Sequence, residues 1–91
     1  MEDAELERLR SEIEEIDRSL INLILERVRV AREVGAAKHA LGMPTLDPAR
    51  EAAVVRRAGE LAREVGLDDE DVRNVFWRLI GLSRRAQMEP R

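Results

Sequence analysis

DAELERLRSEIEEIDRSLINLILERVRVAREVGAAKHAL, residues 3–41, is the stretch whose reading decides the fold. Its apolar residues recur at Leu6, Leu9, Ile13, Ile16, Leu20, Leu23, Val30, Val34 and Leu41. Steps of three and four put them on one stripe of a long α-helix, from about Asp3 to Leu41. No proline interrupts it, Gly42 is a natural stop, and Pro44 blocks continuation. Such a helix is roughly 58 Å long, whereas a compact chain of this size has a radius of gyration of about 12 Å. The residues that follow cannot cover a straight helix of that length. Either it breaks or another chain covers it, and the pattern predicts an intertwined homodimer with this helix as its spine.

Two further helices are expected. Asp47-Pro48 reads as an N-cap followed by proline at the first helical position, opening a helix over about 48–65 that Gly66 ends. Its apolar stripe is Val54, Val55, Ala58, Ala62 and Val65. Asp68 caps a third helix over about 69–88, with acids in its first turn, Leu67 and Val72 as a hydrophobic staple, and Pro90 beyond its end. Its stripe is Val72, Val75, Phe76, Leu79 and Ala86. With no strand signal, the expectation is an all-α, three-helix chain forming one domain over 1–91.

Composition narrows the function. The 91 residues are 44% hydrophobic and 38% charged, with a net charge of −3 and both signs interspersed. That balance argues against a nucleic-acid binder. Without cysteine there is no thiol catalysis or thiolate metal site, and the single histidine, His39, forms no multi-histidine site. No apolar run reaches a membrane span and no signal peptide opens the chain, so the cytoplasm is the expected compartment.

The stripes carry polar groups where hydrophobes belong. With Leu9 at zero, Arg27 falls at about 0° and Lys38 at about 20° round helix 1. Glu51 lies on the centreline of the second stripe. Ser83 lies between Leu79 and Ala86 on the third, with Gln87 at its edge. Buried polar groups are costly unless paired. Any one of these could be a snorkelling side chain, or Glu51 could pair with Arg27 or Lys38. Taken together they do not balance: two cations face one carboxylate, with Asp47 as a possible second. Surplus positive charge beside one acceptor and neutral hydrogen-bonding groups suits a small polyanion carrying a hydroxyl. Arg50 flanks Glu51. Arg10 lies some 25 Å along helix 1 from Arg27, so it reaches such a site only from a partner's helix. His39 reads as solvent-side or loop-adjacent, Phe76 and Trp77 as interface or core packing, and Arg84-Arg85 as a surface favoured by the helix dipole.

Leu9-Arg10-Ser11-Glu12-Ile13 with Ile16-Asp17, Glu26-Arg27, Glu33-Val34-Gly35-Ala36-Ala37-Lys38, Asp47-Pro48-Ala49-Arg50-Glu51 and Ser83 with Gln87 form a specific set. At these separations the chain resembles the all-helical AroQ class of chorismate mutases, from about Leu6 to Gln87. The resemblance implies an intertwined dimer with two equivalent sites and chorismate as substrate. It implies that Arg10 of the other subunit and Arg27 bind the two carboxylates. Lys38 and Gln87 donate to the ether oxygen of the breaking C–O bond. Glu51, helped by Asp47, accepts from the ring hydroxyl, and Arg50 and Ser83 complete the contacts. Lys38, Gln87, Arg27 and Glu51 are thus the expected catalytic residues. The implied reaction, an intramolecular rearrangement to prephenate, uses no metal or cofactor. A neutral amide at Gln87 implies a flat pH optimum near neutrality.

Two rivals stand beside it. An isochorismate–pyruvate lyase resembles it in fold and cations, but the presence of both Glu51 and Ser83 favours the mutase. A non-catalytic helical dimerisation or regulatory module predicts that replacing Arg27 or Lys38 leaves the fold neutral or more stable.

Overall fold

A computed structural model of the chain describes residues 2–89. Helix α1 is Glu2–Ala40, α2 is Pro48–Glu64 and α3 is Asp69–Met88. The described residues form no strand. Pro90, expected to bar further helix, lies outside the described residues.

The helix ends follow from residue chemistry. Gly42 (φ 69°) and Gly66 (φ 80°) adopt the left-handed conformation that side chains disfavour. Each closes the helix before it by two backward bonds. Gly42 N–H donates to His39 at 3.1 Å and Met43 N–H to Lys38 at 2.8 Å. Gly66 N–H donates to Arg63 at 3.2 Å and Leu67 N–H to Ala62 at 2.9 Å. These bonds satisfy carbonyls that the helix leaves without partners. At the other ends, Asp47 accepts from Arg50 N–H at 3.1 Å and Asp68 from Asp71 N–H at 2.9 Å. The two N-caps fix where α2 and α3 begin.

Helix α3 is the middle element. It packs on both α1 and α2, which do not approach each other among the described residues. The core is made of small and branched side chains: Ala31, Val55, Ala58, Ala62, Ile80 and Ala86. Gly35 explains how close α1 and α3 come. A β-carbon there would lie 2.5 Å from the backbone oxygen of Gln87 and 2.7 Å from its Cα. Any side chain at 35 would push Gln87 away from α1. The buried line of α3 runs through Ile80, Ser83 and Ala86; Ser83 and Ala86 lie on the expected stripe, whereas Ile80 is buried beside the half-buried Leu79 and Val75 is exposed. Val65 is likewise exposed, since it is the C-cap of α2.

The chain is extended, 62 × 29 × 15 Å, with a radius of gyration of 17.0 Å. Only the second half of α1 lies against α3. Every residue of 3–23 is exposed. Along that half Ile13 and Ile16 are each 57% exposed and Leu20 51%. A row of exposed branched residues on one helix face is uncommon for a monomer in water. No helix among the described residues is long and apolar enough to cross a membrane.

Candidate active site

The three inward faces meet around a cavity of about 370 Å³. Its apolar walls include Val30, Ala31 and Val34 from α1, Val54 from α2 and Ile80 from α3. Into it come Arg27, Lys38, Asp47, Arg50, Glu51, Ser83 and Gln87. Seven of the eight residues named as candidates from the sequence therefore surround one space. The eighth, Arg10, does not. It sits on the exposed half of α1 and pairs with Glu7 at 3.2 Å.

Lys38 is held from two sides. Its ammonium donates to the Thr45 carbonyl at 2.9 Å and to Gln87 Oε1 at 2.8 Å. An ammonium has three donors, so one remains for a ligand and its direction is fixed by the other two. Gln87, accepting through its oxygen, keeps its amide N–H₂ for donation. The last turn of α1 supplies Lys38, and the Gly42 turn brings Thr45 back over it.

Arg27 donates to the Ser83 hydroxyl. Ser83, only 9% exposed, donates its own hydrogen bond to the Leu79 carbonyl at 3.2 Å. This hydroxyl is thereby occupied in both directions and serves to hold Arg27, with guanidinium N–H groups left over. Ser83 also lines the cavity, and its oxygen keeps a second lone pair on that side of the fold. A serine mid-helix can bond the carbonyl four residues back, which is why the position tolerates it.

Glu51 pairs with neither Arg27 nor Lys38. Its partner is Arg84, which donates from Nε at 2.8 Å and from its terminal nitrogen at 2.5 Å. The expectation that Arg84-Arg85 is a plain dipole-favoured surface is corrected for Arg84. Relative rotation of α2 and α3 decides this pairing, and no period within one helix encodes it. The Arg84 hydrogen bond holds the Glu51 carboxyl below the usual carboxylate range; burial opposes this, and the charges of Arg84 and Lys38 add to it. Thr45 was also invisible to helical wheels, because it acts through a loop carbonyl.

With Glu51 neutralised by Arg84 from outside, the cavity presents Arg27, Lys38 and Arg50 against Asp47. Asp47 is itself engaged as the cap of α2. The result is a mainly apolar pocket with net positive charge, a carboxylate acceptor and a free amide donor. Among the described residues no group of three or more His, Asp or Glu side chains is placed to hold a metal ion.

A family model described as chorismate mutase type II matches residues 9–88. A chorismate mutase of Methanocaldococcus jannaschii is 33% identical over 84 residues, covering 92% of this chain and 85% of that protein. The 4-amino-4-deoxychorismate mutase of Streptomyces venezuelae is 31% identical over 75 residues, 82% of this chain and 73% of that protein. A T-protein of Haemophilus influenzae is 35% identical over 75 residues, and there the chain spans 20% of the longer protein.

Proposed function

The chain belongs to the chorismate mutase type II family and is a chorismate mutase, and on that premise we propose that the cavity between its helices is where chorismate becomes prephenate, a step toward phenylalanine and tyrosine. The observation that carries this reading is Lys38, held by Thr45 and Gln87 with one donor free, beside Arg27 and Glu51 in a single cavity of about 370 Å³.

The rearrangement is internal to the substrate. The ether C–O bond breaks as a C–C bond forms, and no atom enters or leaves. The protein has two tasks. It must hold the substrate in the folded conformer in which the reacting carbons meet. It must also stabilise the negative charge that builds on the ether oxygen. Arg27 takes one substrate carboxylate, and its bond to Ser83 sets its direction. Lys38 and the Gln87 amide donate to the ether oxygen. Glu51 accepts from the ring hydroxyl, with Asp47 and Arg50 beside it. Donors fixed in advance need no reorganisation when the charge appears, and the apolar walls keep them from being screened.

The second carboxylate calls for another cation, and we assign it to Arg10 of a second copy. The support is the exposed stripe Leu6 to Leu23 on the half of α1 that bears Arg10, which a second copy can cover. Arg10 then enters the partner's cavity, and two equivalent sites result. We place the reaction in the cytoplasm.

Two assays test the reading. Incubated with chorismate, the protein is expected to consume it and yield prephenate. Incubated with isochorismate, it is expected to release no salicylate or pyruvate. The reverse outcome would assign it to the lyases.

The pH profile follows from the donors and the acceptor. An amide donates at any ordinary pH, and Glu51 titrates below the usual carboxylate range. Hence kcat/KM is expected to be flat from about pH 7 to 8 and to fall only in acid, as Glu51 takes up its proton. A steep loss from about pH 7 to 8 would remove Gln87 from its role.

A further inference from the structure

Glu51 faces the cavity, whereas the guanidinium that grips it does not. Arg84 is absent from the cavity wall, and its side chain is 46% exposed against 15% for Glu51. It reaches from α3 to α2 and engages both carboxylate oxygens, at 2.8 and 2.5 Å. We propose that Arg84 is a positioning residue for the rearrangement: it clamps the Glu51 carboxylate in the orientation that accepts the substrate hydroxyl and keeps it off Lys38, the donor to the ether oxygen. This rests on the reading of Glu51 as the hydroxyl acceptor.

The geometry gives the clamp two effects. A fork of two parallel bonds fixes the plane of a carboxylate, as one bond does not. It uses one lone pair of each oxygen and leaves the others for the cavity. Glu51 is also surrounded by alternatives. The cations Arg27 and Lys38 come from α1 and Arg50 from the start of α2, and the acid Asp47 stands beside them. Lys38 already attracts the Glu51 charge. Released from Arg84, the carboxylate can turn to Lys38, cancel its charge and occupy the donor meant for the ether oxygen. Arg84 itself is half in solvent, and Glu51 can pair with Lys38 instead, so losing Arg84 leaves no unpaired charge and costs folding little. The clamp therefore acts on the site more than on stability.

The test compares Arg84→Ala, Arg84→Lys, the neighbouring Arg85→Ala and Glu51→Ala in the full chain, with the double variant Arg84→Ala/Glu51→Ala. Arg84→Ala is expected to unfold at the same temperature as Arg85→Ala. Its kcat/KM should fall about tenfold, most of it in kcat, as the loose carboxylate competes for the Lys38 donor at the ether oxygen. Its acid limb should move to higher pH, while Arg85→Ala leaves that limb in place. Arg84→Lys keeps the charge without the fork, so it should hold the acid limb near its original position and recover only part of kcat/KM. On the Glu51→Ala background, Arg84→Ala should add nothing. The proposal is overturned if Arg84→Ala behaves as Arg85→Ala does while Glu51→Ala is costly. It is overturned too if the loss persists undiminished on Glu51→Ala, or if Arg84→Lys matches the unaltered protein. A Glu51→Ala variant with full activity would instead remove Glu51 from the reading on which the clamp depends. Should Arg84→Ala fail to fold, Arg84→Lys decides alone, by its kcat/KM and acid limb.

Discussion

Lys38→Ala is expected to lower kcat/KM for chorismate by about 10²–10³-fold while the helices remain folded. The size follows from where Lys38 sits. Its ammonium is aimed by the Thr45 carbonyl at 2.9 Å and Gln87 Oε1 at 2.8 Å. Its third donor is therefore in place before the ether oxygen gains charge. Alanine removes that donor and also frees the Gln87 amide to rotate, so both groups at the ether oxygen are affected. The loss belongs to the transition state more than to substrate binding, so kcat should carry most of it. Stability should barely change. The lysine is a half-buried cation on an apolar stripe, and its removal exposes no unpaired acid, since Glu51 is bound to Arg84. Steady-state kinetics and thermal unfolding on the same preparation separate the two effects. A variant with unchanged rate would end the assignment of Lys38.

Ile16→Glu is the second large effect. In an isolated chain Ile16 is 57% exposed, and a surface substitution there should shift stability by only about 0.5 kcal/mol either way. If a second copy covers the stripe, the same glutamate is an unpaired charge in an apolar interface, costing several kcal/mol. The expected result is loss of the dimer in sedimentation at micromolar concentration and a fall in activity of at least about 10²-fold, since each site loses its second cation. A variant that sediments and turns over like the unaltered protein would mean that the stripe stays uncovered.

Much of this architecture can be read from residue spacing. The glycines at 42 and 66 and the aspartates at 47 and 68 mark helix ends because each satisfies backbone groups that the helix cannot. Arg27, Lys38, Glu51 and Ser83 stand out because a stripe three or four residues apart should be apolar. What a single helix cannot encode is its rotation against the next. That rotation decides that Glu51 meets Arg84 and not Lys38, and that Ile80 rather than Val75 is buried on α3. Gly35 shows the same limit from the other side. Its smallness is plain in the sequence, but only the approach of Gln87's backbone, 2.5 Å from where its β-carbon would be, gives the reason. Loop carbonyls such as that of Thr45 carry no side-chain signature at all. Arg10 is a third kind of case, since its proposed site belongs to another copy of the chain.

That last point permits the most direct test of a site shared between subunits. Arg10→Ala and Lys38→Ala are each expected to be nearly inactive. Unfolded together in equal amounts and refolded, they should form mixed dimers. In each mixed dimer one site takes Arg10 from the Lys38→Ala chain and Lys38 from the Arg10→Ala chain, and is intact. Random pairing makes half of the dimers mixed, each with one working site of two, so the mixture should recover about a quarter of the unaltered rate of prephenate formation. A mixture no more active than the mean of the two separate variants would contradict a site built by two chains.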